Sequence, residues 1–321
     1  SGILDAFRLG LREPVAISAE HGEGVADLFV ALRPPVTPEH IAPDAAAAAA
    51  DHPRRLAIVG RPNAGKSTLV NTMIGEDRMI TGPEAGITRD SISLNWEWEG
   101  RPVQLVDTAG LRKRAKVEDK LERLSAADTK RALDYAEVVV LLLDATRGLE
   151  SQDLRIAAQV IEEGRALIIA VNKWDIAEHA SSLFNGIKAA LAEGLAQLRN
   201  VPLLTVSAKT GKGIEMVLKV AFELRDAWTK RVPTGELNRW FEAVVDANPP
   251  PAPKGKRIKL RYITQVKSRP PSFVVFGNRL EELPESYRRY LLNAMRRDLD
   301  FGPVPLRLDF RGRSNPFDRG R

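Results

Sequence analysis

The stretch GRPNAGKS at residues 60–67 decides the fold class of this protein. It fits the pattern G-x-x-x-x-G-K-[ST], in which a glycine-rich turn directs backbone N–H groups at phosphate oxygens. The apolar run RLAIV at 55–59 precedes the stretch, and residues 68–74 continue it with helical spacing. Together these parts predict a strand, a phosphate-binding loop and a helix in succession. A glycine turn with a purely structural role is the alternative interpretation.

The positions of this loop have separate predicted roles. Lys66 is expected to reach the β- and γ-phosphates of a nucleoside triphosphate, and the hydroxyl of Ser67 is expected to bind Mg²⁺. The other residues predicted to line the nucleotide here are Gly60, Asn63, Ala64, Gly65 and Thr68.

Outward from the loop, apolar runs alternate with stretches of helical length. Residues 92–98 alternate apolar and polar side chains, and a turn at Gly100 leads into an apolar segment at 103–106, which predicts a hairpin. Further buried-strand patterns occupy 138–143, 166–171 and 203–206. This alternation predicts an α/β fold with a mostly parallel sheet.

A short motif after the hairpin extends the phosphate site. Asp107-Thr108-Ala109-Gly110 ends the strand that begins near residue 103. An acid at Asp107 can hold Mg²⁺ through a water molecule, and the N–H of Gly110 can contact the γ-phosphate. Taken alone, an ordinary strand-ending turn explains this motif equally well.

Two further strand ends predict which base is bound. Asn172-Lys173-Trp174-Asp175 follows the run at 166–171, and the carboxylate of Asp175 can accept hydrogen bonds from both N1–H and the exocyclic amine of guanine. Adenine lacks this pair of donors. Ser207-Ala208-Lys209 follows the run at 203–206, where its backbone can contact guanine O6 and the stem of Lys209 can cover the base. The order of the two motifs favours guanine recognition over two unrelated loops.

Composition excludes several other kinds of site. The chain has 321 residues, a net charge of +6, no cysteine and four scattered histidines. Disulfide frameworks, zinc ribbons and cysteine catalysis are therefore excluded. No apolar run approaches the ~20 residues that span a bilayer, and no signal peptide pattern opens the chain. We expect a cytoplasmic protein without a membrane partner.

The positive charge is concentrated towards the C-terminus. Residues 228–321 carry 20 Lys and Arg and 10 Asp and Glu, a net of +10, whereas residues 1–227 carry a net of −4. The side-chain periodicity predicts elements in the order αββαβ, at 236–246, 257–266, 272–277, 284–298 and 304–310. Such a basic module suggests contact with RNA, and a solvated basic surface is the alternative. The residues predicted to contact phosphate are Lys254, Lys256, Arg257, Lys259, Arg261, Lys267 and Arg269.

The N-terminal region contains a sequence pattern that occurs again later in the chain. The stretch at 13–32 repeats the pattern of 201–220, with an apolar strand, Ser-Ala, a glycine turn and an amphipathic helix. We therefore interpret residues 1–33 as the C-terminal remnant of a first domain and the Pro/Ala-rich residues 34–53 as a semi-rigid linker. Chance similarity is the alternative. The chain begins without Met, so we expect a piece of something longer.

Together the motifs resemble those of translation-factor-type GTPases and, more narrowly, of the bacterial EngA/Der family. The resemblance rests on GRPNAGKST at 60–68, AGITRDS at 85–91, DTAGLRKRAK at 107–116, NKWD at 172–175, SAKTGKG at 207–213 and SAEHGEG at 18–24. That family has two tandem G domains and a KH-like domain, and it acts in assembly of the large ribosomal subunit. The resemblance implies a P-loop GTPase (Ras-like) domain at 54–228, an α+β KH-like domain at 229–311 and a disordered basic tail at 312–321. Because most of a first G domain is absent, one nucleotide site is expected instead of two.

The resemblance also implies ligands and partners. GTP and GDP with Mg²⁺ and K⁺ would be bound, and a monomeric chain would contact rRNA in the large ribosomal subunit or its precursor. Thr88 would close over Mg²⁺ and the γ-phosphate, with Thr81 as the rival candidate. Asn63 would help to hold K⁺ where other GTPases place an arginine finger. A turn-stabilising role for the Asn63 side chain is the alternative.

The chain departs from common patterns in two places. Leu111 follows D-x-x-G, where many GTPases have a glutamine that orients water, so slow turnover is predicted. The basic run at 112–116 is interpreted as a solvated switch segment, with contact to phosphate or RNA as the alternative. In the C-terminal module, the G-x-x-G loop of RNA-binding KH domains is missing, since Gly277-Asn-Arg-Leu280 fails at its last position.

A GTP-hydrolysing switch in ribosome biogenesis is the favoured function. A GTPase of tRNA modification or iron transport would need extra catalytic domains or membrane spans, and this sequence has neither. A GTP-dependent RNA-binding module with negligible hydrolysis is the remaining alternative. Leu111 is compatible with it, because an aliphatic side chain cannot orient the attacking water.

Overall fold

The structure of the protein is a computed structural model that describes residues 53–75, 80–81, 93–106, 132–133, 135–195, 198, 200–253 and 256–312. The chain divides into two units, residues 1–52 and 53–321, and every described residue belongs to the second. The predicted remnant at 1–33 and residues 34–52 of the predicted linker therefore lie outside the described residues, as does the tail from residue 313.

The larger sheet is mostly parallel. Its strands are β1 (Arg54–Val59), β2 (Ile80–Thr81), β3 (Leu94–Trp98), β4 (Arg101–Leu105), β5 (Val138–Asp144), β6 (Ala166–Asn172) and β7 (Leu203–Thr205). They lie in the order β2-β3-β4-β1-β5-β6-β7. The hairpin of β3 and β4 and the short β2 are antiparallel, and β4, β1, β5, β6 and β7 run parallel. The α/β fold expected from the sequence is confirmed.

Helices cover both faces of this sheet: α1 (Lys66–Ile74), α2 (Ser151–Glu162), α3 (Ala180–Gly194) and α4 (Ile214–Thr229). Strands β5 (VVVLLLD) and β6 (ALIIAVN) are buried along their whole length, as parallel strands between two helical layers must be. One core holds α1 and α4, and the other holds α2 and α3. Within the described residues, no helix has the length and apolar character required to cross a bilayer.

The smaller sheet has the predicted order of elements. It follows α5 (Thr234–Ala247) and contains β8 (Lys259–Ser268), β9 (Pro271–Asn278) and, after α6 (Glu285–Asp298), β10 (Arg307–Gly312). The strands lie in the order β10-β9-β8, so β8 is an edge. Gly312, which the sequence assigned to the tail, pairs with Gly277 as the last residue of β10.

Helix α4 joins the two sheets. The core beneath α1 continues through Trp228 and Val232 into the core of the smaller sheet. The indole N–H of Trp228 donates to the carbonyl of Gly164 (2.7 Å), and Lys230 Nζ donates to the carbonyl of Leu299 (2.9 Å). Because interiors pack as tightly as organic crystals, such a continuous core transmits displacement from one sheet to the other.

Candidate functional site

The glycine-rich turn between β1 and α1 packs tightly against neighbouring strands. Gly60 has a φ of 147°, and a Cβ there would lie 2.4 Å from the carbonyl oxygen of Leu142 in β5. Gly65 has a φ of 90°, and a Cβ there would lie 2.3 Å from Nδ2 of Asn172 in β6. Both positions therefore require glycine for backbone conformation and for space.

Lys66 lies against the turn and is largely buried, with 7% of its surface exposed. Its Nζ donates hydrogen bonds to the carbonyl oxygens of Gly60 (2.9 Å) and Arg61 (2.7 Å). These bonds hold the ammonium group at the turn, where a phosphate on the loop N–H groups would be its partner.

The remaining loop residues differ in exposure. Ala64 is buried, Ser67 is half-buried in the first turn of α1, and Thr68 is exposed. Asn63 is exposed and has a φ of 60°, a left-handed conformation that asparagine tolerates. Among the described residues, its side chain makes no hydrogen bond, so the alternative of a turn-stabilising side chain gains no support.

Asn172 connects the phosphate loop to the predicted base-binding loop. Its Nδ2 donates to the carbonyl of Ala64 (2.8 Å), and its Oδ1 accepts from the N–H of Ala208 (2.8 Å). The side chain is buried, as are Ser207 and Ala208. Thr72 of α1 adds a second link, since its hydroxyl donates to the carbonyl of Ala208 (2.6 Å). The structure thus brings together two motifs that are far apart in the sequence.

The residues predicted to specify guanine follow the carboxyl ends of two neighbouring parallel strands, β6 and β7. Asp175 is exposed, and the hydroxyl of Ser207, assisted by the charge of Lys209, lowers the pKa of its carboxyl group. A carboxylate that is ionised at neutral pH can only accept hydrogen bonds, as the paired donors of guanine require. Lys209 is also exposed.

The turn that carries Ser207 is closed by glycine. Gly213 precedes α4 with a φ of 82°, and a Cβ there would lie 2.3 Å from the carbonyl oxygen of Thr205. The hydroxyl of Ser207 also accepts from the N–H of Thr210 (3.2 Å). These contacts place the base-binding loop directly at the N-terminus of α4.

Several predicted site residues cannot be placed. Thr88, Asp107 and Gly110 lie outside the described residues, and so do Leu111 and the basic run at 112–116. The backbone of Thr81, the rival to Thr88, pairs with Asn95 across β2 and β3.

Sequence reasoning missed an anchor of the phosphate loop. Arg61 is buried, and its Nε donates to Oδ1 of the fully buried Asp153 (2.9 Å). The same guanidinium contacts Glu150 and the carbonyl of Gly148. Burial alone would lower the pKa of Arg61, but the hydrogen bond and charge of Asp153 outweigh it and raise the pKa. Because Arg61 occupies a variable position of the motif, its spacing carried no signal.

A second missed residue is Asp144, at the end of β5. Its Oδ2 accepts from Nζ of Lys173 (2.7 Å), and its Oδ1 accepts from the N–H and hydroxyl of Thr146 (2.9 and 2.7 Å). Burial would raise the pKa of Asp144, yet the hydrogen bonds from Lys173 and Thr146 prevail and lower it. An acid that ends a fully apolar strand was the available signal.

Comparison with known proteins identifies the family of this chain. A family model described as a 50S ribosome-binding GTPase matches residues 55–173, and one described as the C-terminal KH-domain-like region of EngA bacterial GTPase enzymes matches residues 231–311. "GTPase Der" of Novosphingobium aromaticivorans is 62% identical over 98% of this chain and 72% of its own length. The chain belongs to the Der family of GTPases. "GTPase Der" of a Jannaschia species is 51% identical over 99% of this chain and 69% of its own length.

As a Der-family GTPase, the protein is an enzyme that hydrolyses GTP. Family membership implies a guanine nucleotide and, as in most GTPases, Mg²⁺. It confirms the predicted family and KH-like region, and it disfavours a module without hydrolysis.

Solved structures of other GTPases are more distant. Era of Aquifex aeolicus, solved with GDP and AlF4⁻, is 17% identical over 80% of this chain and 92% of that chain, with a TM-score of 0.38. The G domain of the Thermotoga maritima FeoB iron transporter is 23% identical over 54% of this chain and 98% of that chain, with a TM-score of 0.35.

Proposed function

We propose that this Der-family protein is a switch that couples GTP hydrolysis to binding of rRNA in the large ribosomal subunit or its precursor. The observation that carries the proposal is the course of α4. The helix starts at Gly213, where the base-binding loop ends, and its last turn holds Trp228 in the core that continues into the basic smaller sheet. A nucleotide-dependent shift of that loop therefore has a packed route to the RNA-facing part.

The phosphate end of the proposed nucleotide site uses the turn after β1. The N–H groups of residues 60–68 and the N-terminus of α1 would hold the phosphate oxygens, and Lys66 would turn from the loop carbonyls to the β- and γ-phosphates. The residues available for Mg²⁺ are Ser67, Thr88 and, through water, Asp107. When bound, Mg²⁺ neutralises charge that develops on the phosphates. The close packing of Gly60 against Leu142 and of Gly65 against Asn172 supports a turn whose shape is set before phosphate binds.

The base end would select guanine through Asp175, with the backbone at Ser207 and Ala208 near O6 and Lys209 across the ring. Lys173, held by Asp144 at the end of β5, would pack beside the nucleotide at the same edge of the sheet. The exposed carboxylate of Asp175 and the low pKa that Ser207 causes support this assignment.

The domain limits that accompany this proposal are those expected from the sequence. A G domain at 54–228 would bind the nucleotide, and a KH-like domain at 229–311 would contact RNA. Residues 247–280 contain eight Lys and Arg and no Asp or Glu, which supports RNA contact by the KH-like domain.

Co-sedimentation tests the proposed partner. The chain, incubated with 30S, 50S or 70S particles and either GDP or a non-hydrolysable GTP analogue, is expected to pellet with 50S particles in one nucleotide state at least several-fold more than in the other. Equal pelleting in both states would remove the switch. Absence from the 50S pellet in both states would remove the ribosomal partner and leave the GTPase intact.

We further propose that K⁺ stimulates hydrolysis through Asn63, whose side chain is exposed and makes no hydrogen bond among the described residues. Turnover in KCl is expected to exceed turnover in NaCl of equal ionic strength by about 10-fold or more, because a fixed cation compensates charge in the transition state. Asn63→Ala is expected to remove the difference between the two salts while GTP affinity changes little. Equal wild-type rates in the two salts would contradict the idea.

A further inference from the structure

The exposed face of the smaller sheet carries a stacked aromatic pair. Tyr262 of β8 lies directly across from Phe276 of β9, with ring centroids 4.6 Å apart and an interplanar angle of 13°. Tyr262 alternates with Ile263, which is buried in the core against α5, so its ring lies on the face turned away from that helix.

This stack has one open end. Phe276 lies on the central strand and is partly buried, whereas Tyr262 lies on the edge strand and is 48% exposed. One ring face of Tyr262 is covered by Phe276, so the exposed area belongs to its other face and its rim. The arrangement leaves room for another flat ring at the end of the stack.

The chain on both sides of this stack is basic. Residues 247–280 contain no Asp or Glu. Six exposed basic side chains, on β8 or within three residues of its ends, make no ion pair or hydrogen bond with any other described residue: Lys256, Arg257, Lys259, Arg261, Lys267 and Arg269. Cations on an edge strand also discourage pairing with other chains, but that role does not explain a half-exposed, stacked tyrosine.

The opposite end of the same face is already covered. Gly164 lies against Pro270, and Nη2 of Arg307 donates to the carbonyl of Glu162 (3.3 Å). Ser272 and Val274 are accordingly buried. The open part of the face is therefore confined to the end that holds Tyr262 and Phe276.

We propose that this end binds single-stranded RNA, with one unpaired base stacked on the outer face of Tyr262 and the flanking phosphates on Lys259, Arg261 and their neighbours. This proposal rests on the proposed RNA-binding function and states where on the smaller sheet the RNA binds. Bases stack on aromatic side chains whatever their sequence, and basic grooves follow the backbone. The platform lies on the sheet, and Phe276 directly precedes Gly277-Asn-Arg-Leu280, the stretch that fails the G-x-x-G pattern. The first two residues of that stretch end β9, and Leu280 is buried.

Fluorescence anisotropy with a labelled single-stranded RNA of about 12 nucleotides tests this site on the full chain. Tyr262→Ala is expected to weaken binding by about 10-fold or more at every salt concentration, and Tyr262→Phe to stay within about 2-fold of the wild type. Arg261→Ala is expected to reduce the slope of log affinity against log salt by about 0.7. Tyr135→Ala, which removes another exposed tyrosine (53%), should change nothing.

The outcomes separate this site from the proposed function. If Tyr262→Ala binds the RNA as the wild type does, the site is wrong even where the chain still pellets with 50S particles. If the wild-type chain binds no single strand, or a duplex of equal length binds as tightly, the site is also wrong. Self-association through the β8 edge without RNA binding would identify that edge as a protein contact and overturn the proposal.

Discussion

Replacing Asp175 by Asn is expected to abolish selective binding of GTP and to create binding of xanthosine triphosphate, a change in selectivity of about 10⁴-fold. The carboxylate of Asp175 can only accept, and guanine presents two donors, N1–H and the C2 amine. Xanthine keeps N1–H but has an oxygen at C2. The Asn amide can accept from N1–H and donate to that oxygen, so the complementarity is reversed.

Titration of the variant with fluorescent GTP and XTP analogues measures this change. Asp175 is exposed, so its replacement removes no packing from the core. Recovered XTP binding shows directly that the site of the variant is intact. Asp246→Asn, which changes an exposed acid on α5, is the matched control and should bind GTP as before. A variant that still prefers GTP to XTP would show that Asp175 does not read the base.

Replacing Asn172 by Ala is expected to lower GTP affinity by about 10²-fold or more and the free energy of unfolding by ~2–4 kcal/mol. The buried amide joins the carbonyl of Ala64 in the phosphate loop to the N–H of Ala208 in the base-binding loop, at 2.8 Å each. Its loss leaves both backbone groups without this partner and opens a space beside Gly65. Phosphate and base would then be bound by loops that no longer hold each other in place.

Asn172→Asp tests the two hydrogen bonds separately, because aspartate has nearly the same shape as asparagine but cannot donate. An aspartate can still accept from Ala208, but its carboxylate faces the carbonyl of Ala64 and cannot donate, so GTP affinity should remain low. Asn238 provides the control, because its amide likewise forms hydrogen bonds only with backbone, two with Ile263 (2.9 and 3.0 Å) and one with the carbonyl of Thr234 (2.9 Å). Asn238→Ala should lower stability and leave GTP affinity unchanged. Equal loss of GTP affinity in both variants would show a general effect of destabilisation instead of a local one.

Much of the fold could be predicted because the informative patterns are local. The run at 138–143 became a buried strand, Val138–Asp144, and the helix expected at 236–246 runs from Thr234 to Ala247. Element ends differ from the predictions by one to three residues because they follow backbone hydrogen bonds and not the apolar pattern. The strand expected at 304–310, for example, runs from Arg307 to Gly312.

The candidate site was predictable only in part. Residues whose chemistry the motif requires, such as the acid at Asp175 or the glycine at Gly65, can be identified from residue type and spacing. The ion-pair partners of Arg61 and Asp144 could not be identified in this way, because they are 92 and 29 residues away in the sequence.

By itself, the sequence determined which backbone segments form strands, helices and glycine turns, and which chemical groups stand at the strand ends. These properties depend on side chains within a few residues of one another. The tertiary structure alone decided that Asn172 clamps two loops, that Arg61 is anchored to α2, and that Tyr262 stacks on Phe276 at an open edge. Each of these contacts depends on strand order and register, which arise from the packing of the whole sheet and have no counterpart in local spacing.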